Sequence, residues 1–565
     1  MKTSKLLALV LALALLLSVC SFSSAEGNLS EPGTLPIWTG DEPAVLTILM
    51  APHEAVEDYD TNLYTLWIED SLNVDIQFQF LPATDAGDKL NIMVSTGETL
   101  PDVVNYGLNV ATAKAYGDAG AFINLKPFLD AGLGVNIDAA VAAFPDWNLI
   151  TSISASDGSF YGVPTIQFSP SNETKYKMWI NQAWLDNLGI EVPTTTDEFY
   201  EMLLRFKNED ANGNGDPNDE IPFLTSTGYG GTAYKYLTNA FVFETDGDMF
   251  LLKDGHVSVS YIQDGWFAAN EYLKKLADEG LLKKESFTYS NTDVMAVLAT
   301  DDDVVGATTN SSLAYVGGAG SDTYKYRLRY ICLNPLTGPE GVCYSGYTQT
   351  SPTQRWFVTS FASNPELAFR AGDFQFTEEG FLRARFAIEG EHWAYAEDYL
   401  KDNPGVTIAA RYGSMGYEGK YVFYNDPWWW STENANWRME SPTFSGNVEA
   451  EGAYIADDGQ GNLINLENDC TTRQETGSGY YQLCKPGMDV YVPTLSYTDE
   501  ELEQIAEPLS TIRSYVNEQR TNYIIGEASD ISNPEQFIQT LKDSFQLDLI
   551  LEIADAAYQR QYAGK

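Results

Sequence analysis

The first hundred residues of the predicted fold alternate between strand-like and helix-like hydrophobic patterns. Residues 44–50 form a short apolar run typical of a buried strand, and residues 74–80 alternate apolar with polar positions. Between them, residues 62–72 have the apolar spacing of a helix. A second helix is predicted over residues 88–95, and a third strand opens at residues 101–104. This strand–helix order predicts a parallel sheet with helices on both faces.

The same pattern recurs further along the chain. Thr195 and Glu198 have the spacing of a capping box, which predicts a helix that begins there and runs to about Asn208. Gly189 closes the helix before it. The other predicted elements are a strand over residues 177–180 and helices over residues 183–188, 266–279, 365–380, 499–519, 534–545 and 548–562. The pattern therefore predicts a second α/β unit and a helical C-terminal region.

The N-terminus has the features of an export signal. Lys2 and Lys5 precede an apolar run from Leu6 to Val19, which is short for a membrane span. Ser23-Ser24-Ala25 supplies the small residues that a signal peptidase requires. We therefore expect residues 1–25 to be a signal peptide and the mature chain to be extracellular.

Cys20 leaves two outcomes open for the mature N-terminus. Leu17-Ser18-Val19-Cys20 resembles a bacterial lipobox, in which the cysteine is lipidated and anchors the protein. Val19 is branched where Gly, Ala or Ser is usual, and this favours removal of Cys20 with the signal peptide.

The composition describes a folded, strongly acidic protein. Lys and Arg number 33 against 80 Asp and Glu, for a net charge of −47. Such a chain should repel nucleic acid and anionic lipid surfaces. The hydrophobic content of 44% is typical of a globular protein, and the length predicts two large lobes.

Four cysteines follow the export signal, namely Cys332, Cys343, Cys470 and Cys484. An even number in an exported protein predicts disulfides. Local pairing of Cys332 with Cys343 and of Cys470 with Cys484 is the simplest of three connectivities, and the other two stay open. With 3 histidines and no CxxC motif, we expect no zinc site.

Four blocks together resemble the extracellular solute-binding proteins of ABC importers, in particular the large LplA-like type that contains a calcium loop. The blocks are Lys89–Val104 (KLNIMVSTGETLPDVV), Trp179–Phe223, Asn364–Trp393 and Tyr515–Arg560. One difference is Asn181-Gln182-Ala183-Trp184, where the family usually has Arg-x-Asp-Trp. The resemblance implies an α/β, two-lobed periplasmic-binding-protein-like fold with an interlobe cleft and C-terminal helices. Ligand would bind between the lobes and favour their closure.

The resemblance also divides the chain. The expected segments are a signal peptide (1–25), a flexible spacer (26–43), lobe 1 (44–168), lobe 2 (169–350), the return of lobe 1 (351–400) and the return of lobe 2 with the C-terminal helices (401–565). Crossings between the lobes are expected near residues 165–175, 348–358 and 395–415.

Residues 210–220 carry the sharpest chemical motif. Oxygen-bearing side chains stand at loop positions one, three and five, and Gly215 follows at position six, as in an EF-hand-like calcium loop. Position twelve is Ile221 instead of the usual glutamate, and Glu220 precedes it. The candidate ligands of a structural Ca²⁺ are Asp210, Asn212, Asn214, Asp216, Asn218, Asp219 and Glu220.

Candidate ligand-binding residues combine aromatic faces with amides, as a sugar site requires. Three adjacent tryptophans cannot all face one core, so at least one should line a cleft or surface. Tyr106 and Asn109 follow a predicted strand, where open α/β sheets bind ligands. Gln167, His392 and Trp393 lie near expected crossings, and the resemblance implies a cleft loop at Asn310 and Ser311. The candidates are Trp428, Trp429, Trp430, Tyr106, Asn109, Gln167, Asn310, Ser311, His392 and Trp393, with His53 in a similar position.

The predicted function is capture of a carbohydrate, in particular an oligosaccharide, for uptake by ABC permease subunits. We expect the protein to act as a monomer and to have no catalytic residues, because no GxSxG, HExxH or carboxylate-dyad motif is found. A secreted polysaccharide-degrading enzyme and a peptide or lipid carrier on the same scaffold remain as alternatives, because a fold does not determine its ligand.

Overall fold

A computed structural model describes residues 28–53, 56–155, 157–166, 170–228, 230–312, 324–408, 416, 418–424, 437, 451–457, 463–465 and 481–562. The strands are β1 Ala44–Met50, β2 Val74–Phe80, β3 Val103–Asn105, β4 Gly162–Thr165, β5 Lys177–Asn181, β6 Ile221–Phe223, β7 Phe250–Lys253, β8 His256–Val259, β9 Val305–Asn310, β10 Tyr330–Leu333, β11 Thr353–Val358, β12 Trp393–Tyr395, β13 Tyr421–Phe423, β14 Gly452–Asp457 and β15 Leu463–Asn465.

Helices connect and cover these strands. They are α1 Leu63–Leu72, α2 Ala86–Ser95, α3 Val110–Asp118, α4 Lys126–Asp130, α5 Val135–Ala143, α6 Pro170–Glu173, α7 Gln182–Leu188, α8 Thr196–Asn208, α9 Ala233–Leu237, α10 Asp264–Asp278, α11 Asn291–Leu298, α12 Tyr324–Arg327, α13 Pro365–Phe374, α14 Glu378–Phe386, α15 Ala396–Asp402, α16 Asp499–Ile525, α17 Pro534–Phe545 and α18 Leu547–Tyr562. Among the described residues, none of the helices has the length and apolar character needed to cross a membrane.

The first sheet has the strand order β2-β1-β3-β11-β4. Strands β1, β2 and β3 run parallel, as predicted. Strand β11 runs antiparallel to both β3 and β4, so the complete sheet is mixed. The reason is that the chain comes back from the second lobe to form β11, and it enters the first sheet at the edge where β1, β3 and β4 end.

The second sheet has the order β10-β5-β9-β6 and is also mixed. Its core contains Trp184, Phe206 and Leu273, all fully buried. A separate core around Trp266 holds the β7–β8 hairpin against α16, α17 and α18. The C-terminal helices therefore belong to the second lobe.

Residues 28–43 do not form the flexible spacer that their composition predicted. Ile37 is 4% exposed and lies in the core of the first lobe. The Trp38 N–H donates to the Leu72 carbonyl at 3.0 Å, and Arg370 donates to the carbonyl of Ser30 at 2.7 Å. Contacts that are distant in the sequence order this segment, which local composition could not indicate.

The third crossing between the lobes lies later than residues 395–415. Strands β12 to β15 form one small sheet, so the segment after residue 401 continues the structure begun at β12. Trp437 then packs against Tyr64 and Phe78 in the core of the first lobe. The chain returns to the small sheet at β14 and β15, and the next described residue after Asn465 is Tyr481, which is buried in the second lobe. The described residues between 401 and 465 therefore lie in the small sheet or in the first lobe, and the chain reaches the second lobe only between Asn465 and Tyr481.

Most predicted helices agree with the observed bounds, with two exceptions. The helix predicted over residues 365–380 is two helices, because Thr377 caps a new helix by accepting from the Gly380 N–H. The helix predicted over residues 499–519 continues to Ile525 and ends at Gly526 in the left-handed conformation.

Candidate functional site: the edges of two sheets

One edge of the first sheet gathers the ends of four strands. Met50 pairs with Asn105, so β1 and β3 end side by side. Thr353 at the start of β11 pairs with Thr165 at the end of β4. Because β11 is antiparallel to its neighbours, its first residue lies at the same edge as their last residues.

The second sheet presents a comparable edge. Lys177 at the start of β5 pairs with Asn310 at the end of β9. Strand β6 runs parallel to β9 and ends on the same side, followed by Thr225 and Ser226. The chain leaves the first edge after Thr165 and enters the second edge at Lys177, so the two edges are joined by a short connection.

Of the predicted ligand residues, Tyr106 and Asn109 lie at the first edge. Tyr106 directly follows β3 and is half-buried. Asn109 is exposed, but its side chain accepts from the Thr112 N–H at 2.8 Å and caps α3. The Tyr106 side chain packs against the core of the first lobe with its hydroxyl beside Gly87, whereas Asn109 already caps a helix.

Asn105 was not among the predicted residues, although its position is the most unusual at the first edge. Its side chain is fully buried, and neither its amide nitrogen nor its amide oxygen has a hydrogen-bond partner within the protein. An unsatisfied buried amide is costly, about 1–3 kcal/mol per group. Its place at the carboxyl end of β3 is the signal that could have identified it.

A bulge in β11 brings a cation to the same edge. The register of β11 shifts between Arg355 and Phe357, and Trp356 adopts a left-handed backbone with φ of 55°. A large residue rarely adopts this conformation, and bulges commonly redirect a neighbouring side chain. The Arg355 guanidinium lies beside Gly107, two residues after Asn105, where a Cβ atom would be 3.3 Å from it.

Asn310 and Ser311 lie at the second edge but are buried, at 2% and 5% exposure. The Asn310 side chain accepts from the Ser311 N–H at 2.8 Å. Beside them, the hydroxyls of Thr225 and Thr309 are hydrogen-bonded to each other. The resemblance implied a cleft loop at these residues, but Asn310 ends β9 and both side chains are enclosed in this conformation.

Two cavities lie in the second lobe near this edge. The smaller, of about 70 Å³, is lined in part by Thr225, Ser226 and Tyr234. The larger, of about 380 Å³, is lined by Tyr234, Lys235, Asp246, Gly247, Met249, Ser510, Arg513, Ser514 and Asn517. Asp246 also accepts from the Tyr176 hydroxyl at 2.5 Å, which places the larger cavity next to the first crossing.

Trp393 and His392 do not join either edge. Trp393 is 2% exposed in the core of the small sheet, and its indole N–H donates to the Ala387 carbonyl at 3.4 Å. The His392 ring nitrogen accepts from the Ile388 N–H at 3.3 Å. Trp393, a candidate ligand residue in the sequence, is thus a core residue in the structure. His53, by contrast, follows β1 near the first edge.

The remaining predicted ligand residues, Gln167 and Trp428, Trp429 and Trp430, lie outside the described residues, so their roles stay predictions. Cys20 and Cys470 also lie outside them. Trp437, close to these tryptophans in sequence, is 1% exposed and donates to the Thr65 hydroxyl at 2.9 Å.

The loop at residues 210–220 is folded around its own oxygen atoms. The Asp210 carboxylate accepts from the Gly215 N–H at 2.9 Å, and Asn214 accepts from the Asp216 N–H at 2.7 Å. Gly215 has φ of 94°, which L side chains rarely adopt. The side chain of Asn218 donates to Asp216 at 3.0 Å. The predicted tight turn is therefore present.

Two carboxylate oxygens in this loop lack partners. Oδ1 of Asp210 and Oε2 of Glu220 are buried without a hydrogen bond, and burial raises the pKa of Glu220. No cluster of three or more Asp, Glu, His or Cys side chains is arranged to hold a metal within the described part of the chain. A calcium site would draw on Asn oxygens as well, and at present Asn212 and Asn214 donate to Asp219 at 3.3 and 2.7 Å. The orphaned oxygens and the oxygen-rich donor set fit Ca²⁺.

The described cysteines do not follow the predicted local pairing. Cys332 lies in β10, and burial raises its pKa to about 12. Cys343, Cys332 and Cys484 are all free thiols. The sulfur atoms of Cys343 and Cys484 are 3.7 Å apart.

Comparison with known proteins identifies the architecture. Residues 66–329 match the family model "Bacterial extracellular solute-binding protein". The fructooligosaccharide ABC transporter substrate-binding protein FusA of Streptococcus pneumoniae is 24% identical over 460 residues, which cover 78% of this chain and 77% of FusA. The predicted resemblance to extracellular solute-binding proteins is confirmed.

Solved structures of solute-binding proteins share the fold over almost the whole chain. The EF-hand mutant of FusA in complex with fructo-nystose has a TM-score of 0.70 and 22% identity, covering 92% of this chain and 100% of FusA. A solute-binding protein associated with an HMO-binding ABC transporter of Bifidobacterium longum infantis has a TM-score of 0.70 and 19% identity, covering 92% and 99%. The predicted two-lobed α/β fold is confirmed.

Proposed function

We propose that this protein captures an oligosaccharide between the two sheet edges and delivers it to the permease of an ABC importer. The observation that supports this most directly is the first edge, where Asn105 has an unsatisfied amide and is followed by the half-buried Tyr106. Amide groups suit sugar hydroxyls, and ring faces suit sugar C–H edges. FusA, which covers most of the chain, is named for fructooligosaccharides.

The two edges provide the conformational signal. A ligand that contacts Asn105 on one lobe and the Asn310 edge on the other binds the closed form more tightly than the open form. Occupancy therefore shifts the population toward closure, which a permease can recognise. The protein acts outside the cell after removal of residues 1–25, and it binds its ligand without turnover.

The binding proposal is tested with the full mature chain and a panel of fructo-, milk-type and uronic-acid oligosaccharides. A ligand that binds only the native state raises the melting temperature, by an amount that grows with concentration. For Asn105→Ala, at least ten times more ligand should be needed to reach the same rise in melting temperature. Asn91→Ala, which removes an exposed amide from α2 on the same lobe, should leave it unchanged. Release of shorter sugars during incubation would show an enzyme and refute the proposal.

We also propose that residues 210–220 bind a structural Ca²⁺ ion. The ligands would be oxygens of Asp210, Asn212, Asn214 and Glu220, with Asp216 contributing its carbonyl. The ion would satisfy the two buried carboxylate oxygens that have no partner. The existence of an EF-hand mutant of FusA is consistent with such a loop in this fold.

Chelation tests the ion directly. EDTA should lower the melting temperature of the wild-type protein, and added calcium should restore it. Asp210→Asn should melt at the lower temperature and respond to neither reagent, because the buried carboxylate is lost. Asp130→Asn, at an exposed site on α4, should respond like the wild type. An unchanged melting temperature on chelation of the wild type would exclude the ion.

A further inference from the structure

The second and third crossings meet at a pair of cysteines. Cys343 lies between β10 and β11, in the segment that returns to the first lobe. Cys484 lies in the segment that re-enters the second lobe at Tyr481. Their sulfur atoms are 3.7 Å apart, and the Ser345 N–H donates to the Cys484 carbonyl at 2.9 Å. The backbone already holds the two segments in register at this point.

A buried carboxylate joins the first crossing to the same point. Glu173 at the end of α6 accepts from the Thr350 N–H at 3.0 Å and from the Gln482 side chain at 3.3 Å. Its backbone carbonyl accepts from the Thr348 N–H at 2.9 Å. Hydrogen bonds therefore join the three crossing segments at one place on the second lobe. We call this place the junction of the crossings, and Cys343 and Cys484 lie within it.

The other cysteine described in the structure is a poor partner. Cys332 lies within β10, where burial raises the pKa of its thiol and disfavours the thiolate that must attack a disulfide. All three described cysteines are half-buried, so an oxidant can reach Cys343 and Cys484. The Cys484 thiol can donate to a Cys343 thiolate, which lowers the pKa of Cys343 and favours it as the attacking group.

We propose that Cys343 and Cys484 form a disulfide in the exported protein and lock the junction of the crossings. The Cys343 thiolate attacks the disulfide of an extracytoplasmic thiol oxidase, or of oxidised glutathione, and releases one thiol from it. The Cys484 thiol then loses its proton and attacks the Cys343 sulfur, which displaces the second thiol of the oxidant. The two cysteines lose two electrons, and the oxidant disulfide gains them with two protons.

The consequence is a covalent ring that contains the whole return of the first lobe. The chain between Cys343 and Cys484 leaves the second lobe, contributes β11 to β15 and comes back. Closing so long a loop restricts the unfolded chain far more than a local bridge would. The sulfurs must approach from 3.7 Å to about 2.05 Å, which loop residues can accommodate.

Peptide mapping tests the bond. The mature protein is incubated with oxidised glutathione, alkylated without reduction, and digested with trypsin and a glutamate-specific protease. Cleavage after Glu340 separates Cys332 from Cys343, and cleavage after Arg473 separates Cys470 from Cys484. We expect a cross-linked peptide of Cys343 with Cys484 that disappears on reduction. Alkylation of both as free thiols, or a link from either to another cysteine, would overturn the proposal.

Thermal unfolding tests whether the disulfide stabilises the folded protein. Dithiothreitol should lower the melting temperature of the oxidised wild type by on the order of 5 °C. It should not change that of Cys343→Ser/Cys484→Ser, which should resemble the reduced wild type. Cys332→Ala, the control, should keep the full response to reductant. A cross-link whose reduction leaves the melting temperature unchanged would refute the locking role.

Discussion

Glu244 is the centre of a buried ion cluster that joins the C-terminal helices to the rest of the second lobe. It is fully buried, as is Arg520 on α16, which donates to both carboxylate oxygens. Lys235 pairs with it at 3.0 Å, and Trp266 donates to it at 2.9 Å. The Arg520 guanidinium also stacks on the Tyr234 and Trp266 rings, 4.5 and 4.7 Å from their centres.

Glu244→Gln keeps the shape of this side chain and removes its charge. Arg520 and Lys235 would then be buried cations without a counter-ion. Removing one partner of a buried pair typically costs about 3–5 kcal/mol in the free energy of unfolding. Glu244→Gln/Arg520→Met should recover part of the loss, because it removes the uncompensated charge as well.

Acid should have a matching effect. Burial by itself raises the pKa of Glu244, but the charges of Arg520 and Lys235 outweigh it and lower the pKa to about 2. A carboxyl group with a lowered pKa in the folded state contributes stability above its unfolded pKa of about 4.3. That contribution is lost as the pH falls from there toward 2. The wild type should therefore lose stability across this range more steeply than Glu244→Gln.

The assay is urea unfolding followed by tryptophan fluorescence, since Trp266 contacts the cluster. Asp130→Asn is the control, because its pair with Lys126 is exposed and should contribute less than about 1 kcal/mol. If Glu244→Gln unfolds within about 1 kcal/mol of the wild type, the cluster does not hold the C-terminal helices and the reasoning fails. A double variant no more stable than the single one would equally contradict it.

Two further predictions concern a helix cap and the N-terminal segment. Thr195→Ala should lower the free energy of unfolding by about 1 kcal/mol, because it removes the cap that accepts from the Glu198 N–H. Urea unfolding measures this loss, and an unchanged urea midpoint would mean that the cap is dispensable. Arg370→Ala should release the N-terminal segment, because its guanidinium donates to the carbonyls of Ser30 and Glu31. Limited proteolysis should then cut within residues 28–43 sooner than in the wild type, and equal rates would argue against this anchor.

Local physics made several elements predictable from the sequence. The capping box of Thr195 and Glu198 is present with both of its hydrogen bonds, and Gly189 ends α7 in the left-handed conformation. Strands β1 and β2 lie where the apolar patterns placed them. These features depend on interactions between residues a few positions apart, so a short window of sequence is enough to predict them.

The candidate site was only partly predictable. The rule that open sheets bind ligands at strand ends pointed to Tyr106, and the family resemblance pointed to Asn310. Asn105 was missed, because only the fold shows that its amide is buried without a partner. Trp393 was placed wrongly, because an aromatic residue near a turn looks the same in sequence whether it faces solvent or a core.

By itself, the sequence determined the resemblance to extracellular solute-binding proteins, the two α/β units, the turn of the calcium-type loop and most helix ends. Tertiary structure alone decided that residues 28–43 are packed, that Trp437 belongs to the first lobe and that Cys343 lies beside Cys484. Each of these depends on segments that are far apart in the chain. Local propensity contains no information about which distant partner a segment will meet, and the balance of burial over the whole fold selects that partner.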